Sequence, residues 1–212
     1  MPDKHDVAQM LKQPAADLRM RYGVIAAVNA DGTVDVTLGG SVVVIGDVKV
    51  ASSCCPIAGA TCILMLSGND LVVRDTLATA VAHCHVRRAA VQTISTASWT
   101  PVSFDTEDVD PYAMRAAGAP TRITIATPGI YNVFATAEWA LSATGARLMS
   151  ILLNGAGKAA LKLNATGSGY MTTAQEIRIA QGEYLELSVY QDTGGDLNLT
   201  AARLRASWKS PL

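Results

Sequence analysis

From Tyr22 onward the chain alternates with a period of two, and the alternation is interrupted every few residues by a turn bearing glycine or proline. Thr33-Val34-Asp35-Val36-Thr37-Leu38 is the cleanest case, set between Asp31-Gly32 and Gly39-Gly40. Successive side chains of a strand point to opposite faces, so such a run buries one face and wets the other. Asp-Gly tolerates the positive φ that a tight hairpin demands. A chain punctuated in this way leaves no room for long helices, and the fold class it predicts is all-β.

One stretch breaks the rule. In residues 6–21, Val7, Met10, Leu11 and Leu18 fall near helical spacing, and Pro14 breaks or restarts the helix. The segment is too short to form a core, so it must lie against its own domain or against a neighbouring subunit. Strands are expected next at 22–30, 33–38, 41–45, 47–51, 61–66 and 71–74, with a loop over Cys54-Cys55-Pro56-Ile57-Ala58-Gly59. Short strands joined by tight turns over 22–77 favour a small closed barrel. Residues 78–98, carrying His83-Cys84-His85 and Arg87-Arg88, read as a connector, either an extended linker or the first strand of the next domain.

A second module spans 99–212. Its strands are expected at 99–104, 121–125, 130–141, 147–153, 158–163, 176–179, 184–190, 197–201 and 204–208, with a polar loop at 105–120. Asn154-Gly155 between two of them is the strongest short-range hairpin signal. About eight strands with long crossing connections suit a jelly-roll sandwich.

Half of the residues are hydrophobic and only 17% are charged, 17 basic against 18 acidic. That balance gives no footprint for nucleic acid or an anionic membrane. So little charge on 212 residues implies that partner subunits cover much of the surface. The first residues lack the apolar core of a secretory signal, and the longest apolar stretches fall far short of the roughly 18–20 residues a membrane helix needs. The expectation is a chain folded in a cytosol, without membrane insertion, its four cysteines reduced.

Catalytic chemistry is not apparent. No Gly-x-Ser-x-Gly elbow occurs, and His5, His83 and His85 lie outside 99–212, so a serine there has no imidazole base. His83-Cys84-His85 beside Cys54, Cys55 and Cys62 has the residue types for zinc. A strand, however, sends Cys84 away from both histidines, and adjacent cysteines depart from the spacing of structural zinc sites. Thiols filling a β core are the simpler reading. Asp105, Glu107, Asp108 and Asp110 share one loop, either a solvated acidic loop or a calcium site with spacing unlike an EF-hand. Gly155-Ala156-Gly157-Lys158 and Gly194-Gly195 sit at hairpin positions, where turn chemistry accounts for them. The expectation is a non-enzymatic protein without cofactor or resident metal.

Two resemblances extend this reading. Gly23-Val24-Ile25-Ala26-Ala27-Val28, Asp31-Gly32-Thr33-Val34-Asp35-Val36, the turn Pro56-Ile57-Ala58-Gly59 and Leu71-Val72-Val73-Arg74-Asp75 resemble the small OB-like barrels of bacteriophage tail and baseplate proteins. The second module resembles the C1q/TNF-like family in the form found among virion proteins. The matching features, in order, are 102–108, Pro128-Gly129-Ile130-Tyr131, Ile151-Leu152-Leu153-Asn154-Gly155, Gln181-Gly182-Glu183-Tyr184, Val189-Tyr190-Gln191-Asp192 and Leu204-Arg205-Ala206-Ser207-Trp208.

That resemblance implies a compact homotrimer. Its interface candidates are Tyr131, Phe134, Trp139, Tyr184, Tyr190 and Trp208, a set that divides between interface and core because alternate residues fill each protomer. The function implied is that of a structural virion protein assembled in the host cytoplasm. It would be a tail-tip or tail-fibre component anchored to other virion proteins by its first module and touching a host receptor or glycan with its second. A capsid head-fibre or decoration protein is the variant. A carbohydrate-binding module is the alternative from another class, with Tyr112 near Asp110, or Tyr190-Gln191-Asp192, as its surface.

Overall fold

The computed structural model describes residues 20–39, 41–52, 54–67, 70–77, 81–164 and 167–212. The helix expected at 6–21 lies outside the described residues except at its end, where Arg21 opens the first strand. Every described element is a strand. The chain forms two compact units, Met1–Ala82 with Thr127–Ile130 and Lys209–Leu212, and His83–Ala126 with Tyr131–Trp208.

In the first unit β1 (Arg21–Val28), β2 (Val34–Leu38), β3 (Val44–Val50), β4 (Thr61–Ser67) and β5 (Asp70–Thr76) close into a barrel in the order β1-β2-β3-β5-β4. All neighbours are antiparallel except β3 and β5, which run parallel. Ile25, Val34, Val36, Cys62, Leu64 and Val73 have no exposed surface, and Val28, Ile45, Val48 and Cys54 complete the interior. Each buried aliphatic side chain contributes about 1.5–3 kcal/mol.

The interior spacing is not strictly two. Ile25 and Val28 both point inward, as do Ile45 and Val48, because register shifts between Ile25 and Ala27 and between Val34 and Val36 absorb an extra residue. Asp47 sits at the second shift with a φ of 51°. Its N–H donates to Asp35 Oδ1 at 3.2 Å, and the Asn29 side-chain amide donates to the same oxygen at 3.1 Å. Residues 41–43, expected as strand, stay out of the ladder: the Ser41 N–H closes a turn onto Leu38 O, and Val42 is 96% exposed.

The second unit holds β6 (His83–Arg88), β7 (Gln92–Ile94), β8 (Thr100–Pro101), β9 (Thr106–Val109), β10 (Arg122–Thr124), β11 (Gly129–Ser142), β12 (Ala146–Leu153), β13 (Ala156–Asn164), β14 (Gly167–Ile179), β15 (Tyr184–Gln191) and β16 (Leu197–Ser210). One sheet runs β14-β11-β16-β6-β9, with β7 also on β16. The other runs β10-β15-β12-β13, with β8 on β15. From β10 onward the chain alternates between the sheets, save at the β12–β13 hairpin, which is the winding of a jelly roll. At that hairpin's turn Asn154 and Gly155 have φ of 50° and 78°, the pair of positive values that a type I′ turn requires.

Five expected boundaries need correction, the first being that the strand expected at 176–179 is only the end of β14, which begins at Gly167. Residues 83–94 of the expected connector form β6 and β7, both paired with β16, so this unit begins at His83 rather than Trp99. The long polar loop contains β9, because Thr106 to Val109 complete the sheet edge beside β6. The strand expected over 99–104 shrinks to β8 at a sheet edge, where Pro101, lacking an N–H, is tolerated. The separate strands at 197–201 and 204–208 are one strand, β16, whose inward face slips from Leu199 to Ala202 across half-buried Thr200 and Ala201.

The barrel's closest approach lies at Gly23. A Cβ there would meet Thr37 O at 2.7 Å and Leu64 Cδ1 at 2.8 Å, whereas one at Gly39 would meet Tyr22 O at an ordinary 3.5 Å. Gly23→Ala is therefore expected to cost about 1–3 kcal/mol and Gly39→Ala little, read from denaturant midpoints of the full chain.

Candidate functional site

The aromatic candidates divide by strand alternation. On β11, Tyr131, Val133, Ala135, Ala137 and Trp139 share the inward face, and Tyr131 and Trp139 are buried. Trp208 on β16 is buried as well. Phe134 stands on the opposite face of β11, 38% exposed, with Asn132 and Glu138 exposed on the same face. Tyr170 on neighbouring β14 is 65% exposed. The outer face of the six-stranded sheet thus carries large apolar side chains where a strand shows solvent its polar ones.

Basic groups share this face. His83, His85 and Arg87 alternate on β6 with the buried Cys84 and Val86, and β16 sets Arg203 against Arg87 and Arg205 against His85. Burial, then the neighbouring Arg205 and His83, lower the His85 pKa below its ordinary value. Among the described residues no group of three or more His, Cys, Asp or Glu is placed to hold a metal ion. The thiols are buried, and burial raises all four pKa values, to about 11 at Cys54 and about 12 at Cys55.

The other sheet presents a second surface. Tyr184 and Tyr190 stand half-buried on the outward side of β15 with the buried Glu186 and Ser188 between them, opposite the inward Leu185, Leu187 and Val189. The Arg122 guanidinium lies 4.0 Å over the Tyr184 ring and donates from Nε to Glu186 at 3.0 Å, a pairing that raises the Arg122 pKa. Farther along, Tyr190 packs against Trp99 with ring centroids 5.5 Å apart and the planes tilted by 40°, and Trp99 is 48% exposed. Trp99 entered the sequence reading only as the start of a strand.

Gln191, expected at a binding surface, has no exposed surface. Its amide nitrogen donates to Ile94 O and Gly195 O, and its carbonyl accepts the Thr193 N–H and hydroxyl, so it ties two loops from inside. Asp192 is exposed, but its carboxylate accepts the Ala146 N–H and closes the turn before β12. Tyr112 is half-buried beside the acidic loop.

That loop is braced internally. Asp105 accepts the Ala89 and Ala90 N–H groups at 2.9 and 2.8 Å and lies 3.5 Å from Arg88. Asp108 pairs with Arg87 at 2.7 Å, Glu107 with Arg115 at 3.8 Å, and Asp110 accepts the Met114 and Arg115 N–H groups. Each carboxylate that would ligate calcium already has a partner from the chain. Burial alone would raise the Asp105 pKa, but the Ala89, Ala90 and Thr106 hydrogen bonds and Arg88 bring it down to about 2.

No protein-family model matches the sequence, and no curated protein matches it. Solved structures do. The globular domain of zebrafish complement 1qA protein is 15% identical, over 58% of this chain and 94% of that one, with a TM-score of 0.43. The Eiger TNF of S. frugiperda is 10% identical, over 63% and 95%, at 0.48. Murine APRIL, from a crystal structure at pH 5.0, is 11% identical, over 57% and 98%, at 0.43. Identities and scores of this size carry no information about ligand or partner.

The Asp105 shift has a pH signature. A carboxyl held near 2, against an ordinary 3.8, binds fewer protons folded than unfolded between those values. Its stabilisation is complete above the ordinary value and is lost as pH falls toward 2. Asp105→Asn should remove about 1 kcal/mol at neutral pH, allowing for solvent screening, and flatten the acid-unfolding curve between pH 4 and 2, followed by circular dichroism.

Proposed function

We propose that the chain is a non-enzymatic structural and binding protein, with a C1q/TNF-type jelly roll that assembles as a homotrimer and an OB-like barrel that anchors it to a larger particle. The exposed aromatic side chains on the outer face of the six-stranded sheet, Phe134 and Tyr170, carry the reading. Monomeric proteins seldom leave such a face uncovered, and the low charge of the chain points the same way. Closure in the order β1-β2-β3-β5-β4 with one parallel pair supports the OB-like part. The zebrafish and insect structures named above bear C1q and TNF names, in keeping with the resemblance in 102–208.

The particle we have in mind is a phage virion, with the protein at a tail tip or fibre, or as a head fibre. Immunogold labelling of virions decides that point, and labelling at neither place refutes it. The assembly is tested by light scattering after gel filtration. Wild-type protein is expected at three times the chain mass and Phe134→Glu at one, with unchanged circular dichroism; a monomeric wild type refutes the trimer.

The Trp99–Tyr190 pair favours a second reading, a glycan-binding surface, since exposed aromatic faces take up sugar rings. Glycan-array binding that falls at least tenfold in Trp99→Ala would support it. Binding that survives this change, or an array with no binding at all, would dismiss it.

A further inference from the structure

Arg147 near the start of β12 has no exposed surface, yet no carboxylate among the described residues pairs with it. On one flank β13 sets Leu163 opposite it, and on the other β15 sets Gln191. Leucine has no acceptor, and both lone pairs of the Gln191 carbonyl are already taken by Thr193. Nη2 donates to Ser142 O at 2.8 Å. Nε and Nη1 reach no acceptor.

A second orphan sits beside it. Trp139, on β11 of the facing sheet, is 1% exposed, and its indole N–H also has no acceptor. The two side chains converge on Gly169 of β14. A Cβ built there would lie 3.4 Å from Arg147 Cδ and 3.6 Å from Trp139 Cδ1. The unsatisfied nitrogens are one bond beyond those atoms, Nε next to Cδ in the arginine and Nε1 next to Cδ1 in the indole.

Guanidinium and indole are donors only, and an uncompensated buried charge is among the costliest defects a core can carry. We infer that the orphaned donors of Arg147 and Trp139 bind one monovalent inorganic anion of the halide class. One positive charge neutralises one negative charge. A divalent oxyanion would leave net charge buried and costs far more to dehydrate. This site is independent of the assembly proposed above.

An anion bound only by the folded state stabilises it by mass action. Thermal unfolding of the full chain is followed at constant sodium concentration while gluconate is exchanged for chloride or bromide. The wild-type midpoint is expected to rise saturably with either halide. Arg147→Met, which keeps the length and drops the charge, should lose that dependence. Trp139→Phe should keep it with about tenfold weaker halide binding, the loss of one hydrogen bond to a charged group. Bromide-soaked wild-type crystals supply a readout that needs no variant, with an anomalous peak expected beside Arg147 Nε and Nη1 and the Trp139 indole nitrogen. A wild-type midpoint indifferent to chloride, a dependence that Arg147→Met retains in full, or crystals without that peak would overturn the site.

Discussion

The second unit depends on the pairing of the chain's last strand with its first ones. β16 takes β6 along residues 202–207 and β7 along residues 197–199, and it lies between β11 and β6 in the six-stranded sheet. The central strand of that sheet is therefore the last to be synthesised. Until it is in place β6 has β9 on one side and nothing on the other, and the inward residues of β11 have lost a neighbour strand. Pairings this distant in sequence pay for loop closure before any contact rewards it, which makes folding slow and leaves an open edge in the meantime. The buried face of β16, from Leu197 to Trp208, is what makes the closure favourable.

Polar side chains then secure what β16 assembles. Asp105 holds the β6–β7 turn through two N–H groups. Gln191 gathers the loops after β7 and β15, and Asn154 and Glu183 stitch the β12–β13 turn to the approach to β15. Each is a carboxylate or amide meeting backbone N–H or C=O groups that strand geometry leaves unpaired at its ends. Each of these side chains is engaged by the chain's own backbone, while the outer sheet faces carry exposed aromatic rings, Phe134 and Tyr170 on one and Trp99 with Tyr190 on the other.

Legibility in the sequence followed the locality of each cause. The Asn154-Gly155 turn was readable because the two residues themselves demand positive φ, and the inward series 131–139 because alternation runs unbroken there. The barrel strands were visible, but their register shifts were not. Ile25 and Val28 share the interior only because a neighbouring strand is one residue out of step. β6 and β9 were hidden for a related reason. Each is short and charged on one face, and only a partner far along the chain turns it into a strand. Gln191 defeated the reading altogether, since residue type says surface and only the assembled loops say core. Trp99 was read as scaffold, although its partner Tyr190, nearly the length of the unit away, brings it to a surface.

The cysteines carry a consequence of their own. A disulfide forms by attack of a thiolate, and burial has pushed the Cys54 and Cys55 thiols to about 11 and 12, where almost none is ionised at neutral pH. Cys62 and Cys84 are sealed in the same way. Burial thus keeps all four thiols in the form that attacks a disulfide or an oxidant most slowly.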